Sequence, residues 1–456
     1  MGSALRYSPF LALIALGLSP SLAGAQTVHH VDAAAPPGGD GSTWDLAFDD
    51  LQSALDASSA QDQVWVAMGT YRPSVRTDPA DPRSATFRIP PGLELIGGFA
   101  GFELGVEQRA GLVERCVLSG ARGAAGDASD NAYRVVLLDE NPQDRRTTID
   151  GFRIRGGNAD GVNGAPIRGG GVFVTLGPGA GFGVRLDLRN CILEGNHADV
   201  GGALWVTGFA RVEVTRCRFC GNTAETKGGA VAVQTGSLRV SNSHFSRNMT
   251  PGRGGAVYLN SIEQDDPVAG PRVCFVNSLF HTNLAGRGGA GFVDGTNTTR
   301  GRGTWVNCVL DANLALDRGG AFFARTGASN PAELEVANSI LWANRAPLDP
   351  QLFGPGADVR HCIVRGGLAG PGNLASDPEF IDPVRLNYRT RVGSPARDSG
   401  DNSRVPLDIT DLDRDGDLLE RVPRDVVGRP RFLDDPLAAD TGSGSGPIVD
   451  IGLYEH

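Results

Sequence analysis

Ten residues of this chain are spaced as if to meet a polymer. Phe173, Trp205, Tyr258, Phe292 and Phe323 each stand three residues past a Gly-Gly pair, and Arg168, Lys227, Arg253, Arg287 and Arg318 each stand immediately before one. Ala232 interrupts the aromatic series and Val200 the cationic one. The residues flanking the aromatics (Val172 and Val174, Leu204 and Val206, Val257 and Leu259) are aliphatic. Side chains alternate along a strand. If the aliphatics point inward, the rings form an outward stripe able to stack on sugar rings. If they do not, the rings line the interior or lie beneath long loops, and alternation alone fits both parities. Like charges stacked in a column repel, so the cations need a reason. Asp199, Glu225 and Asp317, one or two residues upstream of Val200, Lys227 and Arg318, supply one through local neutralisation. An anionic polymer held by many weak charge contacts supplies another.

A second constellation is Asp411-x-Asp413-x-Asp415-Gly416-Asp417-x-x-Glu420. Alternate carboxylates around a Gly turn suit the oxygen shell of calcium. The closing Glu comes two residues early for an EF-hand and no flanking helices are expected, so a solvated acidic turn is the rival reading. His197, His244, His281 and His361 occupy scattered positions and read as surface or ladder residues. No pair of carboxylates can be matched from spacing, so no catalytic set emerges.

The elements that position these residues are repeats. Gly-Gly pairs begin at 169, 201, 228, 254, 288 and 319, so successive copies are 32, 27, 26, 34 and 31 residues apart. A period of that length means stacked supersecondary units. Each copy reads as three short strands, such as Leu186–Leu188, Ile192–Leu193 and Ala203–Val206, joined by an Asn bend and a Gly-Gly turn. Asn190, Asn242, Asn277, Asn307 and Asn338 form one column, and Asn196, Asn222, Asn248, Asn283, Asn313 and Asn344 another. Asn tolerates left-handed backbone, and its amide can bond the next amide along a stack. Both columns therefore read as structural. Some nine coils at about 4.8 Å each predict a rod about 40 Å long. The longest insertions, 260–272 and 294–303, follow the last strand of their coils and put the binding face beside them.

The ends are different. Arg6, an apolar run from Phe10 to Leu18 and Ala23-Gly24-Ala25 read as a secretory signal over 1–25, too short to anchor in a bilayer. A soluble, exported, monomeric protein is expected, secreted or periplasmic. Residues 26–92 read as an N-terminal cap with the first coils. There Ser42 or Thr43 caps an amphipathic helix bearing Leu46, Leu51 and Leu55 on one face. Residues 93–376 are the solenoid, and 377–456 an Asp- and Pro-rich cap or tail. The net charge of −10 argues against a nucleic-acid partner. Lys227 is the sole lysine. Of the seven cysteines, Cys191, Cys217, Cys308 and Cys362 share one repeat position. Stacked coils give them parallel Cβ vectors, so buried free thiols are expected rather than disulfides.

These features resemble the secreted right-handed parallel β-helix proteins of the pectate-lyase-like superfold, and more narrowly a bacterial group ending in a "choice-of-anchor" segment. The residues carrying the resemblance are Val31-Asp32, Trp44, Leu51-Gln52-x-Ala54-Leu55, Val64 to Tyr71 and the repeats themselves. Asp377-Pro378-Glu379-Phe380, Ser394 to Gly400 and Asp450 to Glu455 complete it. The resemblance implies an all-β solenoid with an N-terminal helical cap, and a substrate groove along one face. A sorting signal often lies beyond such a segment; the sequence ends at His456, so free secretion is expected over surface anchoring. Activities in this superfold differ. A polysaccharide partner, with β-elimination on an acidic polymer if the chain is an enzyme, is the leading expectation. A lyase needs a base to take the proton beside the uronate carboxylate, with Arg253 and Arg287 as candidates, and commonly calcium to neutralise that carboxylate. A non-catalytic surface, adhesion or structural protein is the alternative.

Overall fold

Each coil hydrogen-bonds to the corresponding segment of the next, which is why like residues fall into columns. The computed structural model describes residues 26–124, 126–141, 143–161, 168–176, 183–260, 273–296, 300–327 and 329–456. The expected signal segment and most of the 260–272 insertion lie outside the described residues. Among those described, the chain winds into a right-handed parallel β-helix. Its walls are parallel sheets of eleven, ten, six and nine strands. One coil contributes Arg185–Arg189 to the first sheet, Ile192–Glu194 to the second, His197–Val200 to the third and Leu204–Val206 to the fourth. At one strand spacing per coil, the eleven strands of sheet 1 span about 48 Å.

Sheet 3 corrects the three-strand reading of the repeat. Its strands, among them Thr223–Lys227, Met249–Arg253 and Leu314–Arg318, carry polar residues, Gly or Pro where a core strand would carry apolar ones, so they read as turn. Coil-to-coil pairing makes them extended.

The two asparagine columns divide the work. Asn190, Asn242, Asn277, Asn307 and Asn338 sit at φ +48 to +52, supplying the left-handed bend between sheets 1 and 2. The second column is a buried ladder. Asn222, Asn248 and Asn283 each donate from Nδ2 to Oδ1 of the next asparagine at 2.9–3.0 Å, and each backbone N–H donates to that same oxygen. The Gly-Gly pairs are divided as well. The first glycine has φ +63 to +72. A Cβ on the second, as at Gly229 or Gly255, would meet the carbonyl of the following coil.

The lumen is one continuous apolar cluster from Val31 to Val364. Cys191, Cys217, Cys308 and Cys362 lie inside it, and all seven cysteines are free, with Cys220 alone half-buried. Phe219, Phe245 and Phe280 stack at 4.6 Å within it.

The N-terminal helix begins later than the sequence suggests. Thr43 caps only a short turn, Trp44–Leu46, and the α-helix is Leu51–Ala57, capped by Asp50. Phe48 pairs with the first strand, its N–H donating to His30 O and its carbonyl accepting from Asp32 N, which holds the intervening chain extended. Leu46 is consequently exposed, while Leu51, Ala54 and Leu55 close the end of the core.

Residues 377–456 run as a strap along the outside of the solenoid, packing Tyr388, Ala396, Ile451 and Leu453 on sheet 2 and Val405, Val422 and Val449 on sheet 1. The left-handed asparagines are its anchors. Asn277, Asn307 and Asn338 donate to the carbonyls of Arg424, Asp450 and Asp401 at 2.8, 3.1 and 3.0 Å. Arg431, fully buried, bonds Asn277 Oδ1 and pairs with Glu455 at 3.1 Å. No helix among the described residues is long and apolar enough to cross a membrane.

Asn248→Ala strips the Phe219 carbonyl of its donor and the Asn222 amide of its acceptor in a dry core. The expected cost is about 2–4 kcal/mol, read as a lower urea midpoint. Asn242→Gly, which keeps the left-handed bend, should cost much less.

Candidate ligand-binding face

The strand after each Gly-Gly pair belongs to sheet 4. There Leu137, Phe173, Trp205, Ala232, Tyr258, Phe292, Phe323 and Phe353 pair in unbroken register. Val172, Val174, Leu204, Val206, Val257 and Leu259 fill the main core, so the alternating rings point out of it. They are nevertheless covered. Trp205, Tyr258, Phe292 and Phe323 form a separate outer cluster and are at most 6% exposed, with Phe173 partly buried beside them.

Their cover is the cation row. Arg168, Val200, Lys227, Arg253, Arg287 and Arg318 lie in register along sheet 3, and each cation lies over the ring of the following coil. The guanidinium carbons of Arg168, Arg253, Arg287 and Arg318 are 5.1, 5.5, 5.6 and 5.1 Å from the ring centres of Trp205, Phe292, Phe323 and Phe353. Lys227 Nζ is 5.1 Å from that of Tyr258, and Arg134 opens the series 3.8 Å from Phe173. Such contacts contribute about 0.5–2 kcal/mol each. The two breaks in the sequence pattern are therefore one break: Val200 stands where a cation would cover residue 232, and residue 232 has no ring. Stacking thus gives the cation column a reason that neither sequence reading contained. The flat ring faces that would meet sugars are largely occupied by protein.

Local neutralisation works across coils rather than within them. Asp317 pairs with Arg287 at 2.6 Å, not with its neighbour Arg318, whose Nε is 4.0 Å from Asp349. Arg253 pairs with Asp294 at 3.4 Å. Glu225 faces His197 at 3.4 Å, and Asp199 acts on Lys227 only at longer range. Among the described residues, Arg168 and Lys227 are the two members of the expected cation set without an ion pair.

These two cations flank the break. Where ring and cation are both missing, a recess of about 100 Å³ opens, lined by Arg168, Val200, Trp205, Lys227, Gln234, Tyr258 and Asn260. The Trp205 indole N–H, at a residue 3% exposed, has no acceptor there among the described residues. Tyr258 is fixed by donating to Asp294 at 2.5 Å, and Asp294, fully buried, also accepts from Arg325 at 2.5 Å. Burial, followed by Arg253 nearby, lowers the Lys227 pKa. Two unpaired cations and an unused N–H donor make an anion-seeking recess sized for a carboxylate and part of a ring.

No family model and no curated protein matches this chain. Among solved structures it is similar to a pectate lyase at 13% identity and TM-score 0.46, with 95% of this chain and 97% of that one covered. It is also similar to a pectin methylesterase in complex with a hexasaccharide at 11% identity and TM-score 0.36, covering 80% and 99%. A third likeness is to pectin methylesterase PemA from Erwinia chrysanthemi at 13% identity and TM-score 0.36, covering 63% and 80%. Likenesses this distant transfer no chemistry.

The acidic loop lies on the strap. Asp411, Asp413 and Asp415 bring carboxylate oxygens within 4.8 Å of one another, and so do Asp413, Glu420 and Asp408, the last unmarked in the sequence pattern. Asp417 joins neither group; its carboxylate accepts from the Leu419 N–H instead. Asp413 Oδ1 and Glu420 Oε1 are buried without hydrogen-bond partners among the described residues. Next to this loop a cleft of about 390 Å³ lies between the strap and sheet 1, lined by Arg146, Arg189, Glu213, Arg216 and Arg414 among others. Asp187 is held there by Arg146 at 3.0 Å and Arg189 at 2.7 Å. Burial, then the Asp187 carboxylate, raises the Glu213 pKa. The histidines stay structural: His244 and His281 stack at 4.7 Å, and burial lowers them to about 3 and about 4.

Restoring the missing contact tests the stacking account. Val200→Arg with Ala232→Phe should show a favourable coupling of about 0.5–1 kcal/mol in a double-mutant cycle of unfolding free energies. Glu213 supplies a pH test. A carboxyl raised in the folded state contributes stability that is complete below its unfolded pKa and lost as pH rises through the folded one. Glu213→Gln should therefore raise Tm at pH 7 and leave it unchanged at about pH 4.

Proposed function

We propose that this chain is an exported protein that binds an acidic polysaccharide along the rim shared by sheets 3 and 4. A uronate carboxylate would be seated between Arg168 and Lys227. One observation carries the reading. At the coil where the stack is broken, the flanking cations have no carboxylate partner and the Trp205 N–H no acceptor among the described residues. Elsewhere along the row the charge is taken up by rings and carboxylates. The polymer would cross the remaining cations through weaker contacts of their exposed edges.

If the chain also cleaves its ligand, Lys227 is the base this recess offers for β-elimination. An arginine holds its proton throughout the working pH range. Arg253 and Arg287 are in addition tied to Asp294 and Asp317. A lysine with a lowered pKa can take the proton beside a carboxylate that Arg168 holds. Calcium at Asp411, Asp413, Asp415 and Glu420, joined by Asp408, would fasten the strap. The orphaned oxygens of Asp413 and Glu420 support it. The rival, a non-catalytic structural protein, is favoured by the stacking itself, which accounts for both columns without a ligand.

Isothermal titration with oligogalacturonate, oligoalginate and sulfated glycosaminoglycan fragments distinguishes these readings. Binding to one of them should weaken about tenfold or more in Arg168→Ala/Lys227→Ala. It should be lost in Val200→Arg/Ala232→Phe, which fills the recess. Absence of binding by all three polymers would leave the scaffold. Appearance of ultraviolet-absorbing unsaturated uronate, abolished by Lys227→Ala, would establish the lyase.

A further inference from the structure

The strap contains a second group of carboxylates, apart from the acidic loop, whose geometry has no structural explanation as it stands. Asp398 lies in the Ser394 to Gly400 turn at φ +47 and is fully buried. Among the described residues, neither of its carboxylate oxygens has a hydrogen-bond partner. A buried, unpaired carboxylate is costly, and the Asp435 amide relieves it only in part. Its neighbour Arg397 is committed to Asp435 at 2.6 Å and to the Thr390 carbonyl at 2.9 Å. Asp450 accepts from the Asp398 N–H at 2.7 Å and faces His456 at 2.8 Å.

The backbone of the turn is pinned. The Asp398 carbonyl accepts from Thr441 and Gly442 at 2.9 and 3.0 Å, and Gly400 exchanges hydrogen bonds with Val449 and Ser443 at 2.8 Å. The side chain faces Asp434 and Asp440, both exposed. Oxygens of the three carboxylates all lie within 4.8 Å of one another. No basic side chain pairs with any of the three among the described residues.

We propose that Asp398, Asp434 and Asp440 form a divalent-cation site, of calcium type, that clamps the two arms of the strap together. Calcium–oxygen distances of about 2.3–2.6 Å place opposed ligands up to about 5 Å apart, which the observed separations allow. Magnesium, at about 2.1 Å, demands a tighter set. Exposure of Asp434 and Asp440 leaves room for water to complete the shell. Burial, then the carboxylates of Asp450, Asp434 and Asp440, push Asp398 up to about 6, with the Asp435 amide offsetting part of this. A bound cation removes that conflict at its origin. The site is independent of the polysaccharide reading and shares no residue with the loop at Asp408 to Glu420.

The test uses the full mature chain, stripped with chelator and titrated with calcium chloride. Calorimetry gives stoichiometry and thermal melting gives Tm. In the wild type, calcium should raise Tm saturably, with magnesium much weaker. Asp434→Asn/Asp440→Asn alters exposed residues alone and should lose one calcium equivalent and part of the Tm rise. Asp413→Asn/Glu420→Gln, in the other loop, should keep that equivalent. Asp398→Asn should lose the same equivalent while melting higher than wild type in chelator, since it removes a buried unpaired charge. Unchanged stoichiometry and Tm response in Asp434→Asn/Asp440→Asn would overturn the proposal, whether or not Asp398→Asn folds. So would a calcium response of the wild type abolished entirely by Asp413→Asn/Glu420→Gln.

Discussion

Everything in this molecule follows from the hydrogen-bonded step of about 4.8 Å between one coil and the next. That step places each residue against its counterpart, so every column must be made of groups that tolerate their own kind. Apolar residues do so readily, and asparagine does so actively, because its amide donates and accepts along the same line. Glycine permits it where two backbones meet at the Gly-Gly turn. Cations do not tolerate it, and the structure shows how they are accommodated. Sheets 3 and 4 are offset across the turn so that each cation meets the ring of the next coil. Repulsion along one column is relieved by attraction to the other.

This arrangement turns a periodic surface into one with a single irregular point. A stack of cations over rings is chemically uniform, and its charge is largely engaged. Where Val200 faces Ala232 the uniformity fails, and the charge of Arg168 and Lys227, with the Trp205 N–H, becomes available. Function in a repeat protein is expected to lie in such departures, since the repeat itself is spent on holding the coils together. The strap depends on the same step in another way. It hangs from three of the left-handed asparagines, whose side-chain amides donate to strap carbonyls at the corner between sheets 1 and 2.

Much of the fold was legible in the sequence because a repeat prints its columns directly. The Gly-Gly pairs, both asparagine columns and the buried cysteines could be placed from spacing alone. The fourth strand could not, since polar segments such as Thr223–Lys227 carry no apolar alternation. The helix start was misplaced because Phe48 is drawn into pairing with a strand that local capping rules do not see. Spacing singled out the ten residues of the two columns, but not their relation. Arg134 and Phe353 lacked flanking Gly-Gly pairs, so the ends of both columns were missed. Gln234, Asn260, Asp294, Glu213 and Asp408 belong to no pattern.

The sequence by itself determined the period, the columns and the parity choices open to each strand, because these are properties of local spacing. Tertiary structure alone decided which column lies over which. A cation before one Gly-Gly pair covers a ring in the next coil, a contact across 31 to 39 residues that no single repeat contains. It also decided that the Asp-rich C-terminal segment runs along the solenoid and brings Asp398 against Asp434 and Asp440. Both are long-range juxtapositions, fixed by how coils stack and how the strap is hung rather than by any neighbour in the chain.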